Sequence, residues 1–180
     1  GLKDLDSIER LYLSDTEITG ETLKYISELT SLKELTLFRT DIQDEDLAYL
    51  SDLNQLYLID LGHTAVTDAG LKHLRYLTAM KRITLSGNKV GDEGLSAFAE
   101  MHELQNLNLS QTKVSDAGMV VLAAQMPKLA ILFLNGTAVS DRGLQTLSAL
   151  SNLSQIQLTQ TQTTEAGRNA LKLILPDLKV

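Results

Sequence analysis

The chain has 180 residues, 43% of them hydrophobic and only 4% aromatic, with no tryptophan and no cysteine. Its formal net charge of -7 and its pI of about 4.9 speak against nucleic acid as a partner, because a binder of phosphate backbones needs a basic surface to displace their counterions. The lack of cysteine removes disulfides, thiolate metal sites and thiol nucleophiles together, and no apolar run approaches the roughly 20 residues of a membrane-spanning helix, so no membrane insertion is expected.

In chain order, Leu2 and Leu5 come first, and from Ile8 a pattern begins that organises everything after it. The slots of Ile8 to Thr16 return from Leu32, Leu56, Met80, Leu104, Leu129 and Leu153, always 24 residues on except for one step of 25 between Leu104 and Leu129. Seven units starting at residues 8, 32, 56, 80, 104, 129 and 153 therefore form a single domain over residues 1–180. Leu2 and Leu5 occupy the slots of Ile26 and Leu29, so the chain is expected to open inside the helix of a preceding repeat, as the C-terminal part of a longer protein.

Within each unit the apolar residues first alternate, as in Leu11-x-Leu13 and Leu107-x-Leu109, which predicts a strand with both leucines on the inner face. Farther on, Leu71, Leu74 and Leu77 form an amphipathic helical stripe facing the same interior. Thr67-Asp68 and Ser115-Asp116 stand where such a helix wants a hydroxyl cap and a first-turn acid. Gly70, Gly94, Gly118, Gly143 and Gly167 recur one residue before the first stripe position, where a missing side chain permits close contact with the adjacent repeat. In the last unit Thr163 and Arg168 replace apolar core residues, which marks residues 163–180 as a polar C-terminal cap; Leu175-Pro176-Asp177-Leu178 aligns with Met126-Pro127-Lys128-Leu129, and the chain stops in a strand stub.

One such strand cannot bury its leucines alone; parallel strands stacked about 4.8 Å apart can, and helices wider than strands force the stack to curve with the strands inside. The unit L-x-x-L-x-L-x-x-T-x-V-x-D-x-G-L-x-x-L-x-x-L resembles the leucine-rich-repeat family, in particular its short strand-and-helix members akin to the ribonuclease-inhibitor and cysteine-containing subtypes. Thr16, Thr40, Thr64, Thr112, Thr137 and Thr161 stand where many such proteins carry Asn, which only Asn88 keeps, and the cysteines of the second subtype are missing. The expected fold is α/β: a right-handed solenoid arc with a parallel sheet on its concave side and helices on its convex side.

Residues able to carry chemistry are scattered. His63, His73 and His102 have no metal-ligand spacing and read as solvated surface histidines. Asp44, Asp68, Asp92, Asp116 and Asp141 share one slot; such repetition suggests helix-start chemistry, and one acid per turn falls short of the roughly six to eight oxygens of a calcium site. Ser86 to Gly91 lacks the spacing of a phosphate-binding loop, and the sequons at Asn108, Asn135 and Asn152 read as chance. No catalytic, cofactor or metal site is expected.

The outward positions of the strands are where the repeats differ. Arg10, Tyr12, Glu34, Phe38, Arg39, Leu58, Asp60, His63 and Arg82 mix charge with aromatics in the first four units. Asn106, Asn108, Gln111, Ile131, Phe133, Asn135, Gln155, Gln157 and Gln160 are uncharged and rich in amides in the last three. Exposed aromatics beside arginines are the makings of an interface hot spot. The expected partner-binding residues are Arg10, Tyr12, Phe38, Arg39, Leu58, Asp60, His63, Arg82, Ile131 and Phe133. The resemblance implies a non-catalytic protein–protein interaction scaffold, with the substrate-recognition part of a ubiquitin-ligase receptor, or of a bacterial effector imitating one, as the alternative. The edge of the first strand, with its unpaired backbone groups, adds an expectation of self-association.

Overall fold

The computed structural model describes residues 7–180, and the reading of Leu2 and Leu5 as part of a preceding helix lies outside them. Seven three-residue strands form one parallel sheet in sequence order: β1 (Arg10–Tyr12), β2 (Glu34–Thr36), β3 (Leu58–Asp60), β4 (Arg82–Thr84), β5 (Asn106–Asn108), β6 (Ile131–Phe133) and β7 (Gln155–Gln157). Each strand pairs in register with the next repeat, as Leu35 does with Ile59, and the step of 25 enters at Asn106 opposite Ile131. Parallel neighbours need a crossover, and every crossover is a short helix on the far side, so the chain is a right-handed arc with the sheet on its concave side.

The core is a set of columns, one leucine or its equivalent per repeat. Leu35, Ile59, Ile83, Leu107 and Leu132 are buried at the strand centre, and Leu37, Leu61, Leu85, Leu109 and Leu134 are wholly buried two residues later. Full burial of one such side chain contributes about 1.5–3 kcal/mol, against an ordering cost that no strand of three residues meets alone. The first column members, Ile8, Leu11 and Leu13, are only partly buried.

The helices are not uniform. α1 (Gly20–Ile26), α2 (Asp68–Leu71), α3 (Asp116–Gln125), α4 (Asp141–Leu147) and α5 (Glu165–Ile174) are α-helical, while Glu45–Leu50, Lys72–Leu74 and Glu93–Phe98 wind as the tighter 3-10 form. Helix length follows the stripe spacing. Leu95, Phe98 and Met101, all fully buried, lie three residues apart, which is one turn of a 3-10 helix. The extra residue of the fifth unit stretches the stripe to Met119, Leu122 and Met126, and there the helix is α-helical for ten residues. The last unit has the same wider spacing at Arg168, Leu171 and Leu175 and the other ten-residue helix.

Two hydrogen-bonded rails run along the repeats. On one, Thr16, Thr40, Thr64, Thr112, Thr137 and Thr161 each donate Oγ1–H to the carbonyl three residues back, at 2.6–2.8 Å. Threonine thus closes its own turn. Asn88 reaches across instead: its Nδ2 donates to the Leu61 carbonyl at 2.8 Å and its Oδ1 accepts from Thr64 N–H at 2.9 Å. The other rail explains the recurrent acids, glycines and hydroxyls together. Asp92 accepts from the Ser115 N–H and hydroxyl and from the Gly118 N–H, and Asp116 does the same for Ser140 and Gly143. Ser115 and Ser140 in turn cap their own helices. A Cβ at Gly118 or Gly143 would lie 2.5 Å from the carboxylate oxygen, so glycine admits the previous repeat's acid. The capping expected at Thr67 and Ser115 is present, with the acid also acting one repeat ahead of its own helix.

At the C-terminal end Thr163 is buried, and Arg168 donates to its Oγ1 at 3.0 Å and to its carbonyl at 3.2 Å. Lys179 bridges to Gln155, giving β7 a partial outer partner. This end is not polar throughout, for Leu173 is 86% exposed and Ile174 58%.

Candidate protein-interaction face

On the first three strands the outward side chains converge on one carboxylate. Glu34 stands at the start of β2, with Arg10 beside it on β1 and Leu58 on β3. Its Oε2 accepts the Tyr12 hydroxyl at 2.6 Å, and its Oε1 accepts the Tyr57 hydroxyl and lies 3.2 Å from Arg10 Nε. Hydrogen bonds from Tyr12 and then Tyr57, helped by the charges of Arg10 and Arg82, hold the Glu34 carboxyl below its usual range. The same bonds push both phenols up, since ionising either would cost it the donor it gives to Glu34. Two aromatic rings and a guanidinium are thereby fixed on the concave surface, although Tyr12 remains 61% exposed.

The turns that follow the strands make a second group. Seven equivalent residues, Asp15, Arg39, His63, Gly87, Gln111, Gly136 and Gln160, adopt left-handed backbone with φ between 53° and 74°. Only two are glycines, and a bond to the next repeat accompanies the conformation in six of the seven. In the first six the N–H donates to a carbonyl of the next repeat, as Arg39 does to Gly62 at 2.9 Å and His63 to Ser86 at 2.7 Å. That geometry aims Arg39 over the Phe38 ring, 4.9 Å from its centroid, and sets the His63 ring edge-on to Phe38 at 5.2 Å. Gly62 lies beneath, where a Cβ would come 2.9 Å from Phe38 Cδ2. Asp60 accepts from the Gly62 N–H at 2.9 Å, while partial burial raises its pKa.

Beyond β4 the face changes character. Ile131 and Phe133 are half-buried at the two outward positions of β6, and Asn135 lies past them, donating to Gln157 Oε1 at 2.8 Å and accepting from Thr159 N–H at 2.9 Å. Asn108 and Asn152 are likewise engaged, through the Ser110 N–H and the Pro127 carbonyl.

Arg10, Tyr12, Leu58, Asp60, Arg82, Ile131 and Phe133 thus occupy outward strand positions. Phe38, Arg39 and His63 do not: read from the sequence as outward strand residues, they sit in the turns after β2 and β3, because the strands end after three residues. Tyr57 was missed. It lies one residue before β3, where the inward–outward alternation has not begun, and a tyrosine one step ahead of a strand is a weak signal. Arg10, Tyr12, Glu34 and Tyr57 form one cluster, and Phe38, Arg39 and His63 another; Ile131 and Phe133 belong to neither. His73 and His102 are exposed and apart, and among the described residues no group of three or more His, Cys, Asp or Glu could hold a metal ion.

The family model for the leucine-rich repeat matches residues 28–51 and 72–99. The whole described fold superimposes on solved solenoids: internalin C2 of Listeria monocytogenes aligns over 97% of the chain with a TM-score of 0.80 and 24% identity. The chain has the leucine-rich-repeat fold. A second Listeria monocytogenes internalin, inlF, aligns over 99% of the chain with a TM-score of 0.73 and 20% identity. At these identities the likeness is one of fold, and the leucine-rich-repeat chain spans 70% of the first internalin and 55% of the second. No curated protein matches its sequence. Among the described residues no helix is long and apolar enough to cross a membrane.

Proposed function

We propose that this leucine-rich-repeat chain is a non-catalytic interaction module that holds a protein partner on its concave face. The observation that carries the reading is the Glu34 cluster. A carboxylate that accepts two tyrosine hydroxyls and pairs with Arg10 immobilises aromatic and guanidinium groups before any partner arrives, which lowers the ordering cost of association. The half-buried Leu58, Ile131 and Phe133 supply apolar anchors on the same sheet. The groups that could do chemistry are spread out or engaged: His63 packs on Phe38, and His102 lies 4.0 Å from Glu100 on the surface.

A photoreactive amino acid at Phe133, and separately at Val120 on the helical side, tests this in cells. Protein adducts should form from Phe133 and disappear when Tyr12 and Arg82 are both changed to alanine. Adducts formed only from Val120 would overturn the proposal.

A further inference from the structure

The concave face contains one groove whose charge is unbalanced. A pocket of about 270 Å3 between β3 and β5 is lined by Tyr57, Lys81, Arg82 and Asn106, with Glu34 in its wall. Through Arg82 and Asn106 it continues into a second hollow of about 200 Å3 that ends against Phe133. The carboxylates that feel these cations are already committed. Glu34 is held by Tyr12, Tyr57 and Arg10, and Glu103 pairs with Lys128 at 2.6 Å. Among the described residues neither Lys81 nor Arg82 forms an ion pair. In a chain of net charge -7, two adjacent uncommitted cations in one pocket call for a counter-charge from elsewhere.

We propose that the groove takes an acidic side chain of the protein partner between Lys81 and Arg82, with an apolar side chain of the same segment seated against Phe133. The inference rests on the concave face being the binding surface. Asp or Glu is favoured over a phosphoryl group because Glu34 in the pocket wall repels a dianion more than a single carboxylate. The amide of Asn106 offers a further donor. The fold also sets the spacing. Arg82 opens β4 and Phe133 closes β6, so they lie two strand spacings across the sheet and two residues along it, about 12 Å apart. A strand-like segment advances about 3.3 Å per residue with alternating sides, so its residues i and i+4 lie about 13 Å apart on one side. The segment recognised is extended, crosses the strands obliquely, and reads acid-x-x-x-apolar.

Panning a random 12-residue peptide display library on the chain tests this without knowledge of the natural partner. The selected peptides should be enriched several-fold in acid-x-x-x-apolar. As synthetic peptides they should lose at least tenfold in affinity when the acid becomes its amide, and by a similar factor against Lys81→Gln or Arg82→Gln. Both residues are exposed, and a melting curve matching the parent shows that the variants are folded. A library that yields no binder, selected peptides without the acid, phosphoserine in its place binding more tightly, or binding lost in Phe133→Ala but kept in Lys81→Gln and Arg82→Gln would overturn the inference. Peptides indifferent to all three substitutions would bind elsewhere and count against the concave face itself.

Discussion

Asp92 and Asp68 hold the same slot in adjacent repeats but serve different numbers of donors. Asp92 accepts from Ser115 N–H at 2.8 Å, from the Ser115 hydroxyl at 2.6 Å and from Gly118 N–H at 2.9 Å, whereas Asp68 accepts only from Gly91 N–H at 2.7 Å. One of the two missing donors follows from the residue opposite: position 91 is a glycine and has no hydroxyl to give. Hydrogen bonds to a charged acceptor are worth ~1.5–3 kcal/mol when buried, and the half-buried setting here brings each closer to about 1 kcal/mol. Asp92→Ala should therefore cost about 3 kcal/mol and Asp68→Ala about 1 kcal/mol. In a chain of this size, 1 kcal/mol moves the melting midpoint by about 2–4 °C, so the expected drops are about 6–12 °C and about 2–4 °C. Asp92→Asn keeps one acceptor and should fall between them. Thermal unfolding followed by far-UV circular dichroism reads all three. Equal shifts for Asp92→Ala and Asp68→Ala, or a larger one for Asp68→Ala, would refute the idea that stability at this seam follows the number of donors served.

The same reasoning predicts a gain. A Cβ at Gly91 meets only Asp68 Oδ2, at 3.4 Å, so Gly91→Ser has room to supply the missing hydroxyl, and a rise in melting temperature of a few degrees is expected; a fall would count against the shared slot. At the left-handed turn, Gly87→Ala should destabilise more than Gly136→Ala. A new Cβ at Gly87 meets the His63 ring at 2.5 Å, whereas at Gly136 it meets only Gln111 Cγ at 3.4 Å, and His63→Ala should bring Gly87→Ala back to the level of Gly136→Ala in urea titrations. Leu109→Asp should unfold several repeats together, because a charge buried without a partner costs several kcal/mol, while the exposed Gln111→Ala should leave the melting curve almost unchanged; similar curves for both would contradict the core columns. Because Glu34 is depressed, its contribution should be complete above its ordinary pKa and lost as pH falls through the folded value; because Tyr12 and Tyr57 are raised, theirs should be complete below about pH 10 and lost above it. The stability difference between the parent and Glu34→Gln should thus narrow at both extremes, and a difference independent of pH would show that the cluster does not hold in solution.

The repeat spacing alone made the columns legible, since a leucine recurring every 24 residues, alternating and then spaced by three, can be buried only by stacking. The length of the two longest helices was present in the same spacing and was not extracted: Met119, Leu122 and Met126 are spaced by three and then four, as are Arg168, Leu171 and Leu175, whereas Leu95, Phe98 and Met101 are three residues apart throughout. What periodicity conceals is contact between one repeat and the next. The acid of one unit and the hydroxyl of the following one stand 23 or 24 residues apart, as in Asp92 with Ser115 and Asp116 with Ser140, yet within one unit each looks like an ordinary capping residue. The left-handed turn was hidden for another reason. Asp, Arg, His and Gln fill it at five positions and Gly at two, and at six of the seven a backbone bond to the neighbouring repeat holds it. The Glu34 cluster depends on Tyr57 reaching back from the next unit, which no single repeat displays.

Because every seam repeats the same strand register, the molecule is divisible by whole units. Removal of residues 56–79 would bring Arg82 opposite Glu34, offer Arg39 N–H the carbonyl of Ser86 in place of that of Gly62, and present Asp44 with the backbone of Gly91 and Gly94 where Thr67 and Gly70 had been. No backbone group along the new seam would be stranded. Tandem duplication or loss of one unit is therefore a mutation such a gene tolerates, provided it falls in register. Its visible effect would be a longer or shorter span across a partner, and a shuffled order of the side chains that meet it.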